Sequence, residues 1–184
     1  MTAAVGVGFI AAARDVRRID DDHRLRQIWA SLLVGNELVA WIVAVAQGRW
    51  GLPLQLCDLA VFAIAWALLR RMRSVSEVAV CWGLAGSLQA ILTPDLMEGF
   101  PSYAWGQFFL GHCGAVLGAL YLLARGRVGL TLASVGRVFA ISNGYAAAAG
   151  LINWSLGINL GYLARKPVHP SALDWMGPWP YYIL

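Results

Sequence analysis

Six apolar runs, set apart by short loops that hold most of the arginines, constrain this chain more than any other feature. They fall at 1–13, 25–46, 53–69, 77–92, 104–124 and 129–156. A helix that crosses a bilayer needs roughly 20 mostly apolar residues, with a working range of about 17–25. The first run is too short for that, and the others reach or approach it. Of 184 residues, 59% are hydrophobic and only 13% are charged, against about 45–50% and about 25% in soluble domains. Mean hydropathy is +0.62. The expected fold is all-α: one polytopic transmembrane helical bundle over 1–184, with about five full spans. A short apolar segment precedes them, and a tail at 157–184, rich in proline, glycine and aromatics, folds back. No room is left for a soluble module.

The arginines orient the spans through the positive-inside rule. The connector at 14–26 holds five, the loop at 70–76 three and the loop at 125–128 two. The alternate loops hold Arg49 alone in 47–52 and none in 93–103. The amino terminus and the tail are therefore expected outside. A net charge of +4 distributed in this way is a topology signal, and no nucleic-acid partner is expected. Nine tryptophans suit interfacial belts and an aromatic-lined cavity. Met1–Ala13 lacks a basic leader, so no cleavable signal is expected.

That topology gathers polar side chains in the outer half of the bundle. Cys57, in Leu54-Gln55-Leu56-Cys57-Asp58, is four residues past Pro53, which suits a first helical turn. At about 1.5 Å per residue it is about 6 Å deep. His112 is eight residues past Ala104, or about 12 Å deep by the same rise. Gln89, Thr93 and Asp95 close one span on that side, Gln107 opens the next, and Asn153 and Asn159 end the last. Ionisable residues are costly in hydrocarbon, so an intramembrane histidine marks a candidate site.

A thiol beside an imidazole is the minimal nucleophile and base for acyl transfer. A helix amino terminus favours an anion at Cys57, and His112 can take the thiol proton and return it to the leaving alcohol. Asp95 is the expected orienting group for His112, since Asp58 projects about 100° away from Cys57 on a helix. Gln55, Gln89, Asn153 and Asn159 are the candidate oxyanion donors, each equally able to make a plain helix–helix hydrogen bond. Cys81 and Cys113 read as small hydrophobes. No zinc-type Cys/His spacing exists, so neither a metal nor a cofactor is expected. His23 and His169 read as solvated, and Glu37 as structural. The glycines and prolines of the tail need protein contacts at membrane depth, which a lid over the polar pocket would supply.

The chain resembles a known family. The matching residues are Leu54-Gln55-Leu56-Cys57-Asp58, Trp82-Gly83-Leu84-Ala85-Gly86, Gln89-Ala90, Leu92-Thr93-Pro94-Asp95, and Phe108-Phe109 before His112. Asn153-Trp154, Asn159 with Gly161-Tyr162-Leu163, Lys166-Pro167 and Gly177-Pro178-Trp179-Pro180-Tyr181 complete the set. Together they look like the YwaF-type integral membrane proteins of bacteria, whose eukaryotic relative is transmembrane protein 164. The resemblance implies a bacterial cell-membrane protein and a cysteine-dependent phospholipid acyltransferase with Cys57 as nucleophile and His112 as its partner. Its partners would be a phospholipid or lysophospholipid. The pair is more distantly similar to the threonine–histidine pair of androgen-induced hydrolases of fatty-acid esters. Two alternatives stay open: a lipid ester hydrolase with the same pair, and a non-enzymatic membrane protein that binds or transports a small molecule.

Overall fold

The computed structural model describes residues 19–49, 51, 53–70 and 72–183, with side chains from Asp22 onward. The short apolar segment at 1–13 lies outside the described residues. Five helices follow: α1 (Ile19–Ala46), α2 (Leu56–Leu69), α3 (Arg73–Leu92), α4 (Tyr103–Ala124) and α5 (Leu132–Leu156). The tail forms three 3-10 turns, Leu160–Tyr162, Ala172–Met176 and Tyr181–Ile183. No strand occurs among the described residues. Four of the helices are long and apolar enough to cross a membrane, and α2, with 14 residues, is not. The expected all-α membrane bundle is observed, with α2 a shorter apolar helix. Pro53 precedes the helix rather than opening it, because regular helix starts only after Gln55.

The starts of two other helices move the opposite way. α1 takes in part of the charged connector, and α3 begins at Arg73. In α1 the charges find tertiary partners that sequence periodicity does not reveal. Asp22 accepts hydrogen bonds from Arg26 and from the Tyr121 hydroxyl, and Arg125 pairs with it. Arg26 also donates to the Leu68 carbonyl at 2.7 Å.

Close packing of small residues holds the bundle. α2 is central, with Ala60, Val61, Ile64, Ala65, Ala67 and Leu68 buried against α1, α3 and α4. Ile64 is 0% exposed because α4 offers it a glycine: a Cβ on Gly118 would sit 2.5 Å from the Ile64 side chain. Gly83 of α3 faces Ile64, the Ala115 carbonyl and Ala119, each 3.3 Å from its would-be Cβ. Lipid cannot drive helices together hydrophobically, so such small-residue contacts carry the association. α5 packs on α3 and the tail and exposes Val135, Phe139, Leu151 and Trp154. α1 likewise exposes Ile28, Leu32, Val39 and Ile42. These outward apolar faces are what an integral membrane protein turns to acyl chains.

Candidate functional site

The start of α2 is fixed by its own third residue. Asp58 turns its carboxylate back to accept the Gln55 backbone N–H at 3.0 Å, satisfying a donor that the helix ladder cannot reach. Cys57 is thereby the second residue of the helix, within its positive dipole end.

His112 is oriented from within its own helix. Its Nδ1–H donates to the Phe108 carbonyl at 2.8 Å, and the ring stacks on Phe108 with centroids 4.0 Å apart. A carbonyl can only accept, so the neutral ring carries its proton on Nδ1 and presents Nε2 as a bare lone pair. Among the described residues no hydrogen bond engages Nε2. Trp105, Phe108 and Phe109 extend the aromatic wall, with centroid separations of 4.7 Å and 5.3 Å.

Helix register gives the depth of the two groups. α2 precedes α3 and α4 follows it, each packed against it after a reversal of the chain, so α2 and α4 run in the same direction. Ile64 of α2 and Gly118 of α4 are in contact. Cys57 is seven residues before the first and His112 six before the second, or about 10 Å and about 9 Å along the axes. Both therefore sit at one level. Cys57 shares the face of Ile64, which looks toward Gly83 and Gly118; His112 shares the face of Ala119, which looks toward Gly83. The two faces turn toward the space among α2, α3 and α4.

A carboxyl reaches the same level from α1. Glu37 Oε1 lies 2.9 Å from where a Cβ on Gly111 would stand, next to His112 in the chain. Asn36 steers it, donating from Nδ2 to Glu37 Oε1 at 3.3 Å and to the Gln107 carbonyl at 3.2 Å. Glu37, Asp58, Tyr145 and Tyr162 are all within electrostatic reach of Cys57. Sequence alone read Glu37 as structural and passed over both tyrosines. The glycine at 111, which leaves room for a side chain from another helix, was the one available signal.

The amides expected as oxyanion donors are engaged with protein instead. Asn153 clasps Leu160, accepting its N–H at 2.7 Å and donating to its carbonyl at 3.1 Å. Gln55 accepts the Gly161 N–H at 2.8 Å and donates to the Asn159 carbonyl at 3.4 Å. Asn159 Oδ1 accepts the backbone N–H groups of Ala164 and Arg165, and its Nδ2 donates to the Arg165 carbonyl. Gln89 donates to Thr93 Oγ1 at 2.9 Å, closing the end of α3. Tyr145 of α5 adds a bond to the Leu54 carbonyl at 3.0 Å. The tail is therefore tied by side chains to the same end of the bundle as Cys57.

Asp95 differs from its expected role. It accepts the Tyr162 hydroxyl at 3.0 Å and the His169 backbone N–H at 3.1 Å, and its Oδ1 lies 2.8 Å from His169 Nδ1. The position it was expected to fill at His112 is occupied by the Phe108 carbonyl. His169, read as solvated, is Asp95's partner across 74 residues of sequence. Burial alone would raise the Asp95 pKa, but the bonds from His169, Tyr162 and the backbone outweigh it and leave it below the ordinary 3.8. The Tyr162 phenol is pushed well above its ordinary value, first by burial and then by the Asp95 charge it faces.

A family model described as the TMEM164 family matches residues 1–184. The chain belongs to that family. No curated protein and no solved structure matches it. Membership of the TMEM164 family agrees with the apolar helices: this is an integral membrane protein of that family.

Proposed function

We propose that this TMEM164-family protein is a membrane-embedded lipid acyltransferase that works through a thioester on Cys57. The observation that carries the reading is the His112 tautomer, which holds an imidazole lone pair at the depth of a cysteine on a converging helix face. The Cys57 Sγ attacks the ester carbonyl of a phospholipid while His112 Nε2 takes the thiol proton. The tetrahedral intermediate collapses, the lysolipid alkoxide leaves with that proton, and the acyl group stays on sulfur. A second lysolipid hydroxyl, deprotonated by His112, attacks the thioester and restores the thiol. Water in place of the acceptor makes the same pair a hydrolase. The Trp105–Phe108–Phe109 wall supplies an apolar flank for an acyl chain.

The arginine bias of the loops supports placing the Cys57 end outside the cytoplasm. Single cysteines at Ser102→Cys and Ser74→Cys, in a chain lacking its other cysteines, should label from opposite sides, with position 102 outside.

The direct test is acyl exchange between phospholipid and lysophospholipid in liposomes, read by mass spectrometry of lipids and protein. Wild type should show exchange and an acyl adduct on Cys57. Cys57→Ala should show neither while staying folded, and Cys57→Ser should retain little, because an alcohol is far harder to deprotonate. If wild type shows no exchange, no hydrolysis and no adduct across a broad lipid panel, the enzyme reading falls and small-molecule binding takes its place.

A further inference from the structure

Acyl transfer through a thioester leaves one role unfilled. The tetrahedral oxyanion needs a donor within about 2.7–3.1 Å of its oxygen, yet Gln55, Gln89, Asn153 and Asn159 are all engaged with protein. Ser87 of α3 offers a donor that nothing else uses. It is 0% exposed, and its Oγ has no hydrogen-bond partner among the described residues. A serine within a helix can bond back to the carbonyl one turn before it, and this one does not. A buried hydroxyl left without a partner is destabilising, so packing alone gives no reason for an oxygen here.

Helix register places that hydroxyl. Gly83, one turn earlier on α3, faces Ile64 of α2 and Ala115 and Ala119 of α4. Ser87 lies four residues on, in the same buried stripe as Val80 and Gly83. It is thus about 6 Å from the Gly83 layer, toward the Cys57 end. Cys57, seven residues from Ile64, lies about 10 Å from that layer in the same direction, and His112 about 9 Å. The hydroxyl is therefore about 4 Å deeper than the thiol and the imidazole. α2 brings the sulfur, α4 the base, and α3 a donor on the remaining side.

We propose that Ser87 donates the hydrogen bond that stabilises the oxyanion when Cys57 is acylated, an assignment that rests on the thioester reading. Sγ bonds to the ester carbon while the thiol proton passes to His112 Nε2. The carbonyl electron pair moves onto oxygen, and the Ser87 O–H donates to it. When the carbonyl re-forms, the bond to the alkoxide oxygen breaks and His112 returns the proton to that oxygen. Ser87 keeps its own proton throughout. A donor already out of water has no solvent to shed when the charge develops.

The test sets an acylating probe against an alkylating one. Full-length protein in detergent at neutral pH, carrying Cys81→Ala and Cys113→Ala so that Cys57 is its one thiol, is treated with p-nitrophenyl octanoate or with iodoacetamide. Attack on the ester builds an oxyanion, displacement of iodide builds none, and both consume the same thiolate. Adding Ser87→Ala should slow octanoylation, read as p-nitrophenolate release and as adduct mass, by about 10²–10³-fold. Alkylation should keep its rate, and Tm should hold or rise because an unpartnered buried hydroxyl is removed. Adding His112→Ala instead should slow both reactions. Equal octanoylation with and without the Ser87 hydroxyl overturns the proposal and leaves the thioester reading standing. Equal slowing of both reactions by Ser87→Ala also overturns it, because the hydroxyl then acts on the thiol or on packing. If the protein with Ser87 and His112 intact takes no octanoyl group on Cys57, the thioester reading falls and this assignment with it.

Discussion

The two ends of the bundle handle polarity in opposite ways. At the arginine-rich end, full charges are paired tightly: Glu77 with Arg73 and Arg137, Asp22 with Arg26 and Arg125. At the Cys57 end, side-chain amides and hydroxyls bond to backbone: Asn153 to Leu160, Gln55 to Gly161, Tyr145 to Leu54. The first strategy fixes helices to one another. The second anchors irregular backbone that no helix ladder could satisfy, as membrane depth demands. His112 Nε2 is left without a hydrogen bond among the described residues. Under the proposed chemistry, the charge-paired end and the reactive end of the bundle are separate.

The contrast breaks most visibly at its centre of chemistry. His112→Ala should cut acyl transfer by about 10²–10⁴-fold, the usual weight of a general base, with Tm nearly unchanged. Arg137→Gln, at the other end, should do the reverse, lowering Tm while the activity of the remaining folded protein persists. Comparable activity losses in both would show that the ends are not separate.

Gly118→Ala probes the layer between them. A methyl there would stand 2.5 Å from the Ile64 side chain, and overpacking of this kind costs about 1–3 kcal/mol. Thermal unfolding in detergent should register it, and activity should fall as well, because the same contact sets the level of Cys57 against His112. An unchanged Tm would mean that α2 and α4 are not packed as closely as described.

Asp95→Asn tests the tail. Hydrogen exchange at 159–170 should quicken, with little change in α1 to α4. The pH dependence has a definite sign. The Asp95 pKa is lowered in the fold, so its contribution is fully present above the ordinary 3.8 and is lost as pH falls through the lower folded value. Exchange in the tail should therefore rise on acidification below about pH 4, and this rise should be absent in Asp95→Asn. Smallest of all, Cys81→Ala and Cys113→Ala should alter neither stability nor transfer appreciably; a large loss from either would point to a different nucleophile.

The long helices were legible because four apolar runs of membrane length leave little choice. The start of α2 was not, since Pro53 suggests a first turn and only the Asp58 carboxylate shows that the helix waits for Leu56. The orientation of the His112 imidazole was not legible: it depends on a carbonyl one turn back, which any residue at 108 would offer. Asp95 and His169 are 74 residues apart, with no pattern to join them. Glu77 could have been found. Its spacing from Arg73 is that of a helical ion pair, and a carboxylate at the mouth of an apolar run needs such a partner.

The brevity of α2 carries a further consequence. Fourteen residues span about 21 Å, against a hydrocarbon slab of about 30 Å. The central helix is therefore outreached by its neighbours. With its arginine-side end level with the start of α3, the missing length falls at the thiol. Cys57, the second residue of α2, is therefore set back from the ends of the longer helices. Under the proposed thioester chemistry, a phospholipid ester would have to reach inward to the start of α2, past the longer neighbouring helices, for its carbonyl to meet sulfur.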